Sequence, residues 1–318
     1  MTSEQQNSKA LIRERSKKRR SLYKSVDKAM QFVFRFCGLL AALMIILIVF
    51  FVTVRGIQVF LPSYDDPVSL REFLTGMRWR TDQGIYGVFF IVINTLVTAF
   101  FAGLIAFPLS TLSALMIVKI APKRLSNILT TVVELLAAIP SVVYGVFASG
   151  VITAIVKRIA NLFNYTTFGG NSMLAAILLL AIMIYPTITS MAVVAIRAVP
   201  ESHELGSLAL GASRTQTNFK VVLSSAKSGI FAGLILGLGR AFGEATAVSM
   251  VAGNAFTGPT LNPFNLVRTL TTTMLQGLHE TVGTDYDIRF SVGIVLMLVI
   301  LFNNLAINAL RRKIESGD

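Results

Sequence analysis

The chain has 318 residues, of which 54% are hydrophobic and only 14% are charged. Soluble domains carry roughly 25% charged residues, so this composition excludes an ordinary water-soluble protein. The formal net charge of +13 would suggest nucleic acid only if the basic residues covered a folded domain. They lie instead between hydrophobic runs, so we expect a lipid bilayer and no nucleic acid as partner. The single cysteine, Cys37, excludes an intrachain disulfide and a cysteine metal site, and we expect no cofactor.

The amino-terminal segment, residues 1–28, is polar and rich in Lys and Arg. The hydrophobic run that follows, residues 29–54, is too long for a signal-peptide core and lacks a small-residue cleavage site. A helix needs about 20 apolar residues to cross a bilayer core. The pattern predicts a basic cytoplasmic tail, an uncleaved first transmembrane helix and then an extracellular loop at 55–83.

Five more hydrophobic runs follow, which predicts an all-α membrane protein with six transmembrane helices. Two of the runs contain Pro108 and Pro140, and a proline ring without an N–H is expected to kink or break a helix. The six predicted spans are 29–54, 87–118, 126–156, 172–196, 228–252 and 290–310.

The orientation follows from the basic residues, because Lys and Arg are enriched in cytoplasmic segments. With the amino terminus inside, the inner segments hold nineteen Lys and Arg and the outer loops hold eight. Both termini are therefore predicted to be cytoplasmic, with residues 312–318 forming the second cytoplasmic tail.

The predicted cytoplasmic loop 197–227 contains several residues that favour the start or the end of a helix. Pro200 and Glu204 favour the start of a short helix, because proline suits the first turn and an acid stabilises the positive end of the helix dipole. Gly211 offers a left-handed stop, and residues 213–216 have capping-box spacing for a second helix. The pattern predicts a helix, a glycine corner and another helix.

The short helix of this loop places Leu205 and Leu208 on one apolar face. Such a face suits a groove on a partner protein or the surface of the lipid bilayer, and the pattern alone does not separate these two.

The same loop resembles the EAA loop of ABC importer permeases, in which a glycine is followed after nine residues by an Ile-x-Leu-Pro motif. Here Gly211 is followed at that spacing by the residues VVLS, so the motif proline is replaced by Ser224. The motif glutamate falls on Leu205, with Glu204 one position earlier. The resemblance implies a coupling helix seated on a cytoplasmic ATPase, with Glu204, Leu205, Leu208 and Gly211 as its coupling residues.

Ionisable residues inside transmembrane spans are costly and are candidates for function. Arg240 and Glu244 are four residues apart, so they are expected to share a helix face and to pair. Gly237, Gly239 and Gly243 are expected to let another helix or a ligand approach closely. Because arginine recognises oxyanions as a fork, we expect an anion path at this place. The alternative is a purely structural pair in which Glu244 neutralises Arg240.

Glu134 is a third candidate for the substrate path, because it lies six residues before the expected break at Pro140. A role in gating or in helix pairing is open.

Three segments of the sequence are distinctive: GIYG at 84–87, ELLAAIPSVVYG at 134–145 and GLILGLGRAFGEATAVSMVAGN at 233–254. Together they resemble the PstC family, which are permease subunits of phosphate ABC importers. The resemblance covers about 84–311 and implies a type I ABC permease domain there, with the coupling loop at 197–227. It further implies a bacterial plasma membrane, inorganic phosphate, a PstA-like second permease, a PstB-like ATPase dimer and an external PstS-like phosphate-binding protein.

The sequence lacks a G-x-x-x-x-G-K-[ST] phosphate loop, so ATP hydrolysis is expected from a separate chain and the protein is not expected to be an enzyme. Four alternatives stay open. The first two are a PstA-type sister subunit, which shares the IPS-x-V and GR-x-x-GE patterns, and a permease for another oxyanion. The others are a secondary transporter with Glu134 or Glu244 as its proton site, and a membrane-bound scaffold or sensor.

Overall fold

The protein is described by a computed structural model, which gives the backbone for residues 3–316. Side chains are described for residues 27–309 except residue 29, and for residue 312. The side chains of most of the predicted basic tail, residues 1–28, are therefore not among those described. The chain divides into two compact units, residues 1–54 and residues 55–318.

The first unit consists of helix α1, which spans Ser3–Gln58 and so continues into the second unit. Its section Met30–Gln58 is long and apolar enough to cross a membrane. The described side chains between residues 30 and 50 are exposed, as expected of a helix with lipid around it.

The second unit begins with a folded cap over residues 55–88. Helix α2, Leu70–Thr75, precedes strand β1, Trp79–Arg80, which pairs antiparallel with strand β2, Ile85–Tyr86. Trp79 is only 2% exposed and belongs to a buried cluster that includes Phe73, Phe90 and Ile288. The segment predicted as an extracellular loop is therefore packed against the membrane-spanning helices, and its tryptophan is not available to an external partner.

Helix α3, Phe89–Leu115, continues through Pro108 and ends in a π-helical turn, Met116–Ile120. Of the kink or break expected at Pro108, the break is absent, since neighbouring helices can accommodate the carbonyl that a proline leaves unpaired.

The break predicted at Pro140 is present. Helix α4, Lys123–Ala138, ends at Ile139, whose backbone is extended as expected of a residue before proline. Helix α5, Ser141–Phe147, a π-helical turn at Ala148–Ile152 and helix α6, Thr153–Leu162, then form one span. The third predicted span, 126–156, is therefore replaced by Ser141–Leu162.

The remaining helices are α7, Met173–Arg197; α8, Glu201–Ala209; α9, Arg214–Gln216, continued by a π-helical turn at Thr217–Val222; α10, Leu223–Gly243; α11, Thr246–Ala252; α12, Leu270–Leu275; and α13, Thr284–Ser316. Six helical segments within the described residues can span a membrane, which confirms the predicted all-α fold with six spans. They are Met30–Gln58, Phe89–Ile120, Ser141–Leu162, Met173–Arg197, Arg214–Gly243 and Thr284–Ala309.

Helix α7 lies at the centre of the bundle and packs against α3 and α10. Gly229, Gly233 and Gly237 of α10 recur every four residues along this contact. A Cβ on Gly229 would lie 2.5 Å from the Cβ of Ala195, and a Cβ on Gly237 would lie 2.7 Å from Ile188 Cγ1. The glycines thus allow the two helices to approach closely.

The two ends of the bundle differ. The cap lies where α3 begins, and we refer to this as the cap end. Lys119, at the far end of α3, contacts Glu204 of α8, and we refer to this as the α8 end.

Candidate functional site

Arg240 lies in the last turn of α10 and is half-buried. Its Nη1 donates to Thr187 Oγ1 of α7 at 3.2 Å. The hydroxyl of Tyr144 on α5 lies within electrostatic range of the same guanidinium. Sequence patterns did not identify Thr187 or Tyr144, because both are more than fifty residues from Arg240 and come close to it only through the packing of α5, α7 and α10.

Glu244 does not pair with Arg240, and this part of the prediction is wrong. Helix α10 ends at Gly243, and the backbone of Glu244 is extended with φ −76° and ψ 116°. Its Oε1 accepts from the backbone N–H of Ala247 at 3.0 Å, so the carboxylate caps α11. Its carbonyl accepts from Thr271 Oγ1 at 2.8 Å. The shared helix face that the four-residue spacing implies does not exist here.

The positive charge of Arg240 is therefore not neutralised by Glu244. No carboxylate of the described residues lies within ion-pair distance of its guanidinium. Its hydrogen-bond partner, Thr187, is neutral. A cation in this position can bind an anion, whereas a cation neutralised by Glu244 would bind one poorly.

The three glycines near Arg240 have different surroundings. Gly237 faces Ile188 closely, whereas a Cβ on Gly239 or Gly243 would meet no described atom within 4 Å. Among the described residues, no other helix packs against Gly239 or Gly243, so close approach at these two positions stays a prediction. Their open faces leave room for another molecule.

Glu134 lies on α4 with an exposed side chain. It has no ion pair with a described residue, and the structure does not bring it into hydrogen-bond contact with Arg240 or Glu244.

Helix α8 and Leu210, the residue that follows it, expose leucine side chains at the α8 end. Leu205 is 57% exposed, Leu208 is 39% exposed and Leu210 is 91% exposed. Gly211 follows with φ +86°, a left-handed conformation that glycine adopts without strain. The predicted capping box is present, because the Ser213 side chain accepts from the backbone of Gln216 and the Gln216 side chain accepts from the backbone of Ser213. The predicted helix, glycine corner and second helix are thus confirmed.

Glu204 has an internal partner that the sequence did not indicate. Its carboxylate forms an ion pair with Lys119, and both side chains are largely shielded from solvent. The pair ties α8 to the end of α3. Lys119 is 85 residues from Glu204, a separation at which local sequence patterns carry no signal.

A hydrogen-bonded network holds the cap onto the start of α13. Tyr64 donates to Asp287 Oδ2 at 2.8 Å, Arg55 pairs with Asp287 at 3.4 Å and Tyr86 donates to Asp285. Burial, followed by the hydrogen bond and charge of Asp287, raises the pKa of Tyr64. Burial, followed by the hydrogen bond and charge of Asp285, likewise raises the pKa of Tyr86. Both tyrosines therefore stay neutral donors at physiological pH.

A family profile and individual relatives both indicate that this chain is similar to transport permeases. The profile of the family described as "Binding-protein-dependent transport system inner membrane component" matches residues 106–316. The probable ABC transporter permease protein YqgH of Bacillus subtilis is 38% identical over 284 residues, which cover 87% of this chain and 89% of that protein. The phosphate transport system permease protein PstC 1 of Mycobacterium tuberculosis is 33% identical over 248 residues, which cover 72% of this chain and 73% of that protein.

Solved structures show the same fold. A chain from the crystal structure of a bacterial ABC transporter involved in the import of the acidic polysaccharide alginate has a TM-score of 0.57 and 20% identity, covering 86% of this chain and 95% of that one. A chain from an inward-facing structure of the MetNI methionine ABC transporter has a TM-score of 0.53 and 18% identity, covering 70% of this chain and 94% of that one. The protein described here therefore belongs to the family of binding-protein-dependent transport system inner membrane components and is a multi-pass ABC permease subunit rather than an enzyme.

Proposed function

We propose that this chain is a permease subunit of an ATP-driven phosphate importer and that Arg240 lies on the phosphate path. The observation that carries the proposal is the half-buried Arg240 guanidinium, which binds the neutral Thr187 and has no described carboxylate beside it. The name of the PstC relative supports phosphate as the transported ion. The PstC-like segments 134–145 and 233–254 contain Tyr144 and Arg240, and they support the same choice of subunit.

A phosphate ion that enters the bundle loses hydrogen bonds to water. A guanidinium replaces them with several donors in a fixed fork, and the low polarity of the interior strengthens the attraction. The hydroxyl of Thr187, which accepts from Arg240, can add a neutral donor beside the guanidinium. The hydrogen bond from Ala247 holds the Glu244 carboxylate at the amino terminus of α11, and Glu244 does not pair with Arg240.

Helix α8 is proposed as the coupling helix. The exposed Leu205, Leu208 and Leu210 offer an apolar surface that suits a groove on an ATPase, while Glu204 holds the helix to Lys119. Basic residues are concentrated in the segments that join the spans at this end, which supports a cytoplasmic α8 end and cytoplasmic termini.

The proposed assembly contains a homologous PstA-like permease, a PstB-like ATPase dimer and an external PstS-like phosphate-binding protein. The type I permease domain would cover 84–311, in a bacterial plasma membrane. The open faces of Gly239 and Gly243 can receive the second permease or the passing ion. ATP drives import if the ATPase dimer binds α8 with different affinities in the inward-open and outward-open states.

The test is uptake by vesicles that contain the co-isolated complex. Labelled phosphate should accumulate only with ATP, and excess unlabelled sulfate should compete weakly. Strong competition by sulfate would indicate a permease for another oxyanion. Uptake that proceeds without ATP and collapses with the proton gradient would favour a secondary transporter, for which the exposed Glu134 would be a candidate proton site.

A further inference from the structure

A second cationic feature lies at the cap end, outside the Arg240 site. The guanidinium of Arg80 lies 5.1 Å from the centre of the Phe256 ring, and that of Arg268 lies 5.6 Å from the same centre. The backbone N–H of Trp79 donates to the carbonyl of Phe256 at 2.8 Å, which fixes the loop between α11 and α12 against β1. We call Arg80, Phe256 and Arg268 the arginine stack.

Arg268 is the buried member of the arginine stack, with only 5% of its surface exposed. Its Nε donates to the carbonyl of Ala255 at 2.8 Å and its Nη2 to the carbonyl of Asn254 at 3.1 Å. Its Nη1 has no hydrogen-bond acceptor among the described residues, and no described carboxylate pairs with it. Burial, with a smaller contribution from the charge of Arg289, lowers the pKa of Arg268 to about 10. The group therefore remains protonated at neutral pH.

Arg289 is a buried arginine in the same region whose Nη1 and Nε donors have carbonyl acceptors. Its Nη1 donates to the carbonyl of Thr273 at 2.7 Å and to that of Gln276, and its Nε donates to the carbonyl of Asp285 at 3.1 Å. The carboxylate of Asp285 also attracts the positive charge of Arg289. Arg268 lacks such a carboxylate, so its charge is not compensated within the described part of the chain.

The arginine stack runs from the surface into the cap end. The Arg80 side chain is 43% exposed and Phe256 is 54% exposed, whereas Arg268 is buried. Among the described residues, the one carboxylate paired with the stack is Asp82, which is 62% exposed and 3.6 Å from Arg80. Exposed pairs of this kind are weak. The stack therefore keeps a net positive charge, and its Arg80 end is exposed.

We propose that the arginine stack binds a small oxyanion of the phosphate class at the cap end, ahead of Arg240. A buried cation without a counter-ion is costly, and a bound anion removes that cost while using the free donors of Arg268. The stack is connected to the Arg240 site, because Arg268 is three residues before Thr271, whose hydroxyl donates to the carbonyl of Glu244. This inference rests on the proposed function, since it assigns the entrance of the same path.

The sole tryptophan provides the test. Trp79 precedes Arg80, binds the backbone of Phe256 and packs edge-on against Tyr86 at 5.6 Å, so its fluorescence reports on the arginine stack. The full chain in neutral-lipid nanodiscs is titrated with inorganic phosphate at constant ionic strength. We expect a saturable fluorescence change, which Arg268→Gln weakens by about tenfold or more through the loss of charged donors. The control Arg71→Gln removes an exposed charge from α2 and should leave the titration unchanged.

Three results would overturn the proposal. They are an unchanged titration in a folded Arg268→Gln chain, an equal response to chloride, and a response that follows anionic lipid rather than added phosphate. If Arg268→Gln fails to fold by circular dichroism, the exposed Arg80→Gln replaces it, and an unchanged titration there would reject the stack. If the wild-type importer carries phosphate but the Arg268→Gln and Arg80→Gln chains give the same fluorescence titration as the wild-type chain, this inference alone is refuted. A wild-type importer that carries no phosphate would instead refute the proposed function.

Discussion

The ammonium group of Lys119 at the end of α3 forms an ion pair with the carboxylate of Glu204 on α8, and the two side chains are only 19% and 21% exposed. The pair connects a membrane-spanning helix directly to the proposed coupling helix. A displacement of α8 by an ATPase would therefore act on α3 through this contact as well as through the covalent connections to α7 and α10.

Breaking the Lys119–Glu204 pair should weaken coupling without removing α8. We expect Glu204→Gln to lower substrate-stimulated ATP hydrolysis by up to about fivefold, because a partly shielded ion pair contributes on the order of 1 kcal/mol. The charge-swapped double variant Lys119→Glu with Glu204→Lys should recover most of the loss. Independent, additive losses in the double variant would show that the pair does not transmit coupling.

The apolar face of α8 should be needed for attachment of the ATPase. Leu208→Asp places a charge where a partner groove would bury it, so we expect the ATPase to be lost on purification and transport-linked hydrolysis to fall to background. Ser202→Asp is the matched control, because an acid in the first turn suits the helix dipole. Normal transport and co-purification with Leu208→Asp would remove α8 from the coupling mechanism.

The sequence predicts local features of this protein well. Gly211 and the residues at 213–216 define the corner after α8, and Pro140 defines the break between α4 and α5, because each acts on backbone conformation within a few residues. The pairing of Arg240 with Glu244 was predicted wrongly since the four-residue rule assumes an uninterrupted helix, and α10 ends between them at Gly243.

Features that depend on distant contacts could not be predicted from local patterns. Trp79 lies in a segment with many polar residues and is buried only because the cap folds against α3 and α13. The partner of Arg240, Thr187, belongs to another helix. Six spans follow from hydropathy alone, but the way in which the spans meet decides which charges are compensated.

The two glycines Gly237 and Gly239 should respond oppositely to alanine. A Cβ at Gly237 would lie 2.7 Å and 2.9 Å from two atoms of Ile188, so we expect Gly237→Ala to lower the thermal unfolding temperature through overpacking of about 1–3 kcal/mol. Gly239→Ala meets no described atom and should raise it slightly through helix propensity of up to about 1 kcal/mol. Thermal unfolding of the purified chain checks both. Equal destabilisation by both changes would refute the packing described for α10.

Labelling of introduced cysteines should establish the topology. In intact cells Cys37, which lies in an apolar span, should resist a membrane-impermeant maleimide. In a Cys37→Ser background, Ser63→Cys should label from outside, and Ser202→Cys should label only after the membrane is opened. The reverse accessibility would invert the proposed orientation and place α8 outside.

The most direct test of the account is ATP-dependent uptake of labelled phosphate by assembled complexes that carry Arg240→Gln, Glu244→Gln or both changes. Glu244→Gln should retain most uptake, because an amide oxygen can still accept from Ala247. We expect Arg240→Gln to assemble with its ATPase and to lose uptake by about tenfold to a hundredfold, as removal of charged donors from an anion site predicts. The double variant should remain equally inactive, since Glu244 is not the counter-ion of Arg240. Near-normal uptake by a correctly assembled double variant would contradict the assignment of Arg240 to the phosphate path.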